Sequence, residues 1–198
     1  MSTTDIRTIS DQDLVQQYIN GHEAGLEELI RRHKSKIYTS IYHLVKDSDL
    51  AEDIFQDAFI KVINTLKTSK YNEEGKFLPW VIRISHNLVI DHFRKEKRKP
   101  MVANVEGFDI FDVIKVYDEN AEDKIIREQN HKDLRTLIHL LPSEQKEVLI
   151  MRHFGELSFK EISDITGVSI NTALGRMRYA LNNLRKMMQT KELALKNI

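Results

Sequence analysis

LSFKEISDITGVSINTALGRMRYALNNLRK, residues 157–186, is the stretch whose reading decides the fold. Ser158 and Glu161 stand in the S-x-x-E spacing of a capping box, where a hydroxyl and a carboxylate each accept from an orphan backbone N–H, so a short helix starts there. Ile162 and Ile165 give that helix an apolar stripe, Gly167 permits a turn, and Ser169 can cap a second, longer helix. Short helix, glycine turn and longer helix make a helix-turn-helix unit. In the second helix, Ile170, Ala173, Met177, Ala180 or Leu181, Leu184 and Met188 form the stripe expected to pack inward. Asn171, Leu174, Gly175, Arg178 and Asn182 fall on the opposite side, with Arg176 and Tyr179 at its edges. Amides can address base edges, a guanidinium phosphate or guanine, and a leucine a thymine methyl, so this face suits a major groove. An ordinary three-helix bundle with a polar surface carries the same pattern, and the stretch alone does not separate the two. Gly175 costs the helix roughly 0.5–1 kcal/mol relative to alanine. It is either a tolerated surface glycine or a place where the backbone comes close to DNA.

Outward from this stretch, the rest of the chain shows the three-to-four spacing of amphipathic helices and no sustained strand alternation. Helices are expected near 11–20, 23–46, 50–66, 79–98, 122–140, 143–154, 159–166 and 170–188, which makes the fold all-α. The 198 residues suffice for one large or two small domains, and 41% apolar with 30% charged residues is a soluble, helix-rich composition. Charge is unevenly spread although thirty basic and thirty acidic residues cancel. Asp91–Lys99 has five Lys or Arg against two acids, and Pro100–Asp123 has seven acids against one Lys. From Lys160 onward the balance is basic again. A connection of some twenty residues without helical pattern is unusual inside one domain, so two helical domains joined by a flexible acidic linker are expected.

Several functional classes are excluded or disfavoured by what the chain lacks. There is no Cys, which removes disulfide frameworks, thiolate metal sites and Cys nucleophiles. No apolar run reaches membrane-spanning length and MSTTDIRTISDQD has no signal-peptide pattern, so no membrane insertion is expected and the cytosol is the expected compartment. The eight His form no H-E-x-x-H, and no P-loop, G-x-G-x-x-G or G-x-S-x-G occurs. Glu128–His131 matches E-x-x-H, but a di-iron bundle needs a second copy and further Glu. A non-enzyme with no catalytic residues, metal or cofactor is expected.

Two further helices carry readable outer faces. In residues 50–66 the stripe Ala51, Ile54, Phe55, Ala58, Val62 and Leu66 is expected to be buried, leaving Asp53, Gln56, Asp57, Lys61 and Asn64 outside. Asp49 and Glu52 suit the helix start. Asp53 and Asp57 repel at i, i+4, a cost that a basic partner would reverse; a solvated acidic face accounts for them equally. The helix from Pro79 is expected to bury Trp80, Val81, Ile84 and Leu88 and to expose Arg83, His86, Asn87, Arg94 and Lys97, a mixed polar and basic row that suits a DNA strand.

LPSEQKEVLIMRHFGELSFKEISDITGVSINTALGRMRYALNNLRK resembles the promoter-binding C-terminal domain of bacterial sigma factors, and AEDIFQDAFIKVINTL followed by FLPWVIRISHNLVIDHFRKEKR resembles the same family's other domain, in the family's order. Two domains joined directly by a linker are similar to the extracytoplasmic-function group of the sigma-70 family. The resemblance implies a region 2 domain over 10–99, an acidic linker over 100–122 and a region 4 helix-turn-helix domain over 123–190. It implies core RNA polymerase, through its β′ and β subunits, as partner at Asp53, Gln56 and Asp57. Promoter −10 DNA would meet Arg83, Ser85, His86, Asn87, Arg94, Lys97 and Arg98. An unpaired base would be captured by this helix and the loop Tyr71–Phe77, with Asn87 at the pocket and Ser85 and His86 nearby. The −35 element would meet Ser169, Asn171, Thr172, Leu174, Gly175, Arg176, Arg178 and Tyr179. An anti-sigma factor is a further implied partner. The linker, with Phe108, Ile110, Phe111, Val113 and Ile114 among its acids, would thread the polymerase channel as a polyanion mimic; a solvated spacer or docking on the protein's own domains are the other readings. The chain departs from the family where Leu174-Gly175 replaces a common Lys-Ser pair and Tyr179 a frequent basic residue. Apart from the resemblance, a free-standing helix-turn-helix regulator with an N-terminal effector or dimerisation domain remains open.

Overall fold

Short polar side chains cap several of the helices. Ser10 caps α1 (Asp11–Ile19), its hydroxyl accepting from the Asp13 N–H at 3.1 Å, and Asp11 and Asp13 put negative charge at the positive end of the helix dipole. A single turn of 3₁₀ helix, Ile6–Thr8, precedes it. α2 (Glu23–Val45) stops where Lys46 takes a left-handed conformation at φ 62°. Asp47 then opens α3 (Ser48–Lys67) by accepting from the N–H groups of Asp49 and Leu50 at 2.9 and 3.0 Å. α3 therefore starts two residues before the expected position 50, because the cap is Asp47 and Asp49 already lies in the first turn. α4 (Phe77–Glu96) also starts two residues early, with Pro79 as its third residue, where the missing N–H would have had no helical acceptor.

The computed structural model describes residues 6–68, 71, 75–96 and 134–196, all-α with no strand among them. Helical residues 134–139, here α5, lead to α6 (Ser143–His153), α7 (Phe159–Thr166) and α8 (Ile170–Lys196). The helices fall into two compact units, one holding α1–α4 and the other α5–α8. The expected linker 100–122 with its apolar cluster, the Glu128–His131 pair, and Lys97 and Arg98 lie outside the described residues.

In the first unit α2 packs against α1, α3 and α4, and α3 against α4. The close approach of α1 and α2 requires a glycine: a Cβ at Gly25 would run into the Leu14 carbonyl oxygen and lie 3.3 Å from Gln17 Cβ. Ala51, Ala58 and Val62 of α3 are fully buried, and Phe55 and Phe59 pack beside them with rings tilted by 49° and centroids 4.8 Å apart. The expected α3 stripe is the observed one, with Phe59 added.

A charge network ties the N-terminal segment to α2. Arg31 and Arg32 both donate to the buried Glu28 carboxylate at 2.7–2.8 Å. Arg32 also donates to Asp11 at 2.9 Å and to the carbonyls of Ile6 and Arg7 at 3.1 and 3.2 Å. His33 Nε2 lies 2.6 Å from the other Asp11 oxygen, and its ring packs 5.8 Å from Phe77 of α4.

The guanidinium groups of Arg31 and then Arg32 hold the Glu28 carboxyl down from 4.5 to about 2. A carboxylate depressed in the folded state stabilises fully above its unfolded value, and that contribution fades as pH falls from about 4.5 through about 2. Glu28→Gln should therefore lower the urea midpoint at neutral pH, with the gap from the parent chain closing as both are titrated to about pH 2.

Candidate functional site

Three outward rows, on α8, α3 and α4, present the residues that could meet a partner. The α8 row depends on how the helix-turn-helix is built. Ser158 and Glu161 form the full capping box, with Glu161 Oε2 accepting from the Ser158 N–H at 2.8 Å and Ser158 Oγ from the Glu161 N–H at 3.3 Å. Gly167 takes φ 69° at the end of α7, Ser163 donates to the Val168 carbonyl at 2.6 Å, and Ser169 caps α8 by accepting from the Thr172 N–H at 3.1 Å. Side chains of the turn thus satisfy its own backbone and set the direction in which α8 leaves. Ala173, Ala180 and Leu184 then seat α8 on the core, where Leu137, Ile138, Leu141 and Leu149 meet it and Met177 and Met187 pack at the margin. An amide hydrogen bond of 2.8 Å from Asn183 to Gln145 ties α8 to α6.

This seating leaves Asn171, Thr172, Leu174, Arg178 and Tyr179 exposed, with Tyr179 at 64%. Ser169 is exposed too, though its hydroxyl is engaged by the cap and lies 2.8 Å from Thr172 Oγ1. Arg176 is the departure: it is half-buried and turned toward α6, its Nη2 3.9 Å from Glu144 Oε1. Three members of the expected inward stripe are also displaced. Ile170, Leu181 and Met188 are 44, 38 and 45% exposed, and Met187 packs in place of Met188. The core line runs Ala173, Met177, Ala180, Leu184, Met187, because α6 and α7 press on α8 from the side that these residues share.

On α3, Asp53, Gln56 and Asp57 are exposed, as are Lys61 and Asn64. Gln56 Nε2 donates to Glu52 at 3.3 Å, which adds a further carboxylate to the row. Its field reaches α2: the Tyr38 phenol is pushed up by burial first and then by Glu52, Tyr42, Asp49 and Asp47. The sequence reading missed Ile60, 55% exposed and three residues beyond Asp57 on the same face. The i, i+3, i+4, i+7 spacing of 53, 56, 57 and 60 was the signal that could have found it.

On α4, Arg83, Asn87 and Arg94 are exposed, and Arg94 lies 3.7 Å from Asp91. Ser85 and His86 are not on this row. Ser85 is 3% exposed and donates to the Val81 carbonyl at 2.9 Å, and His86 is 7% exposed, so the expected placement of His86 on the outer face is corrected. Ile82 and Val89 are buried with them, whereas Trp80, Ile84 and Leu88 of the expected stripe are half-buried. The physical reason is that α4 packs against both α2 and α3 through the side centred on Val81, Ser85 and Val89, which is turned away from the side that its large apolar residues mark out. Trp80 closes the edge of the packing, its ring 4.2 Å from Tyr71 and 6.0 Å from Phe77.

A Cβ built on Gly175 meets no atom within 4 Å. Gly175→Ala should stabilise the full chain by about 0.5–1 kcal/mol through helix propensity alone, read as a raised denaturant midpoint of the second unit.

Comparison with known proteins gives two family matches: Sigma-70 region 2 over residues 29–99 and Sigma-70, region 4, over residues 131–183. The chain is 28% identical over 179 residues to the ECF RNA polymerase sigma factor SigW of Bacillus subtilis, covering 88% of this chain and 95% of that one. It is 26% identical over 184 residues to the RNA polymerase sigma-H factor of Pseudomonas aeruginosa, covering 90% and 94%. Among solved structures it shares the fold of CnrH in complex with the cytosolic domain of CnrY, at TM-score 0.63 and 18% identity over 92% of this chain and 99% of that chain. The sigma factor RpoE in complex with the anti-sigma factor NepR from Bartonella quintana matches at TM-score 0.63 and 16% identity, over 83% and 96%.

Proposed function

Since the chain belongs to the extracytoplasmic-function group of the sigma-70 family, it acts as a promoter-directing sigma factor, and we propose that it divides this work among its three outward rows. The single observation that carries the division is the pairing of an acidic row in one family region with a basic and amide-bearing helix-turn-helix row in the other. A free-standing regulator would not carry both regions in this order, so that reading is set aside.

Core RNA polymerase docks on α3 through Asp53, Gln56 and Asp57, with Ile60 beside the charges. The exposed Ile60 gives this row apolar area that a partner could cover beside the charges. The unfavourable i, i+4 pair of aspartates becomes favourable only against a basic surface. Promoter −10 DNA meets α4 at Arg83, Asn87 and Arg94, the cations taking phosphate and the amide a base edge. Ser85 and His86 act from beneath as packing for that row, since both are buried and Ser85 spends its hydroxyl on the Val81 carbonyl.

The −35 duplex meets the start of α8 at Asn171, Thr172, Leu174 and Arg178, with Tyr179 at the edge and Ser169 holding the cap. Gly175 sits on this face with open space before it, which supports close approach of the backbone to a phosphate. Arg176 contributes at most from the flank, because Glu144 shares its guanidinium. Domains of 10–99 and 123–190 around a linker of 100–122 fit the two family matches. An anti-sigma factor is a fitting partner, as for the structural relative described with one. No helix among the described residues is long and apolar enough to cross a membrane, and the work proposed here is non-enzymatic and cytoplasmic.

Asp53→Arg with Asp57→Arg should abolish co-migration with core polymerase on gel filtration while the far-ultraviolet dichroism stays unchanged; retained core binding would remove α3 from the docking surface. Asn87→Ala should lower open-complex formation by about tenfold at some −10 sequences and little at others, as loss of a base-edge contact does. A uniform loss across a promoter library would assign Asn87 to phosphate binding or packing instead.

A further inference from the structure

One imidazole joins the N-terminal segment to the start of α4. His33 belongs to α2, its side chain is 12% exposed, and its Nε2 lies 2.6 Å from Asp11 Oδ2. A carboxylate accepts, so Nε2–H is the donor; Nδ1 is buried and makes no hydrogen bond among the described residues. Asp11 is therefore the one polar anchor of this ring among those residues. Asp11 is itself held, since its other oxygen accepts from Arg32 at 2.9 Å and Arg32 reaches on to the carbonyls of Ile6 and Arg7. The imidazole packs 5.8 Å from the ring of Phe77, which is the first residue of α4 and 1% exposed. Phe77 meets Trp80 at 6.0 Å, and Trp80 meets Tyr71 at 4.2 Å. A contact path thus runs from the segment before α1, through one imidazole, to the aromatic step at the head of α4.

We propose that Asp11 and His33 are positioning residues for the −10 strand: the carboxylate locks the imidazole, and the imidazole locks the head of α4 and with it the row of Arg83, Asn87 and Arg94. This role rests on the −10 reading of α4 given above. Val81, Ser85 and Val89 seat the middle of α4 on α2 and α3, whereas Phe77 is its largest fully buried side chain and lies at its very start. Whatever packs on Phe77 therefore fixes where the first turn lies. Asn87 stands about 15 Å along the helix from Phe77, and a tilt of about 4° at that end moves its amide by about 1 Å. A base-edge hydrogen bond depends on distance and angle together, so a shift of that size weakens it. Ring contact alone leaves an imidazole free to turn about its side-chain torsions. A carboxylate whose two oxygens hold two different donors removes that freedom. Glu28 has a different part, because it accepts from Arg31 and Arg32 within α2 itself, so its loss weakens the fold while the Asp11–His33 bond stays in place.

The test uses the full chain with core polymerase and reads open-complex formation at a promoter that Asn87→Ala slows. Acrylamide quenching of Trp80, the chain's single tryptophan, is read on the free chain. Asp11→Ala and His33→Ala should each slow open-complex formation by about fivefold and raise the quenching of Trp80, with co-migration with core unchanged. Asp11→Asn keeps an oxygen for the Nε2–H and should recover more than about half of the parent rate. Asp11→Ala combined with His33→Ala should lose no more than either alone, as residues acting in series do. Glu28→Gln, which lowers the urea midpoint, should leave both the rate and the quenching as in the parent. A loss in Glu28→Gln equal to that in Asp11→Ala, or losses that add in the double variant, would reduce the pair to fold stability and overturn the positioning role. A parent rate in Asp11→Ala at a promoter that Asn87→Ala slows fails the positioning role alone. If no promoter responds to Asn87→Ala, the −10 reading has failed and the positioning role falls with it.

Discussion

Close helix crossings at small residues govern both units. Gly25 lets α2 lie against the Leu14 carbonyl, Ala51 and Ala58 bring α3 inward with no exposure, and Ala173 and Ala180 do the same for α8. A helix seated on small residues comes near enough for its larger neighbours to interlock, and interlocking fixes its rotation about its own axis. That rotation decides which row looks outward. The acidic row of α3 and the amide and guanidinium row of α8 are therefore consequences of where glycine and alanine sit, as much as of where the charged residues sit.

Electrostatics divides between the interior and those rows. Inside the first unit, Glu28 is held as a carboxylate by two guanidinium groups, and Arg32 carries the tie on to Asp11 and to the backbone of the 3₁₀ turn. Arg32 alone reaches Glu28, Asp11 and two backbone carbonyls, so the N-terminal segment is tied to α2 at several points although the network is only partly buried. On the surface, charges are left facing water. A sigma factor that shares its DNA affinity with a much larger polymerase has no need of the strongly basic surface by which phosphates are neutralised, which agrees with a net charge of zero.

The parts of this protein that depend on neighbours in sequence were determined by the sequence itself. The capping box of Ser158 and Glu161, the left-handed Gly167, the Ser169 cap and the buried and exposed rows of α3 all follow from spacings of three or four residues. The caps are local hydrogen bonds, and α3 alternates its residue types as cleanly as its surroundings require. What tertiary structure decided lies where burial reflects the number of helices touching a position and not the residue at it. Ser85 and His86 are buried because α4 is wedged between α2 and α3, and Ile170, Leu181 and Met188 are exposed because no described helix reaches that flank of α8. The Asp11–Arg32 pair joins positions on two different helices, and Arg176 turns to Glu144 on α6. Periodicity assigns a residue to a side of its own helix, but only the packing of the other helices determines how much of that side is covered.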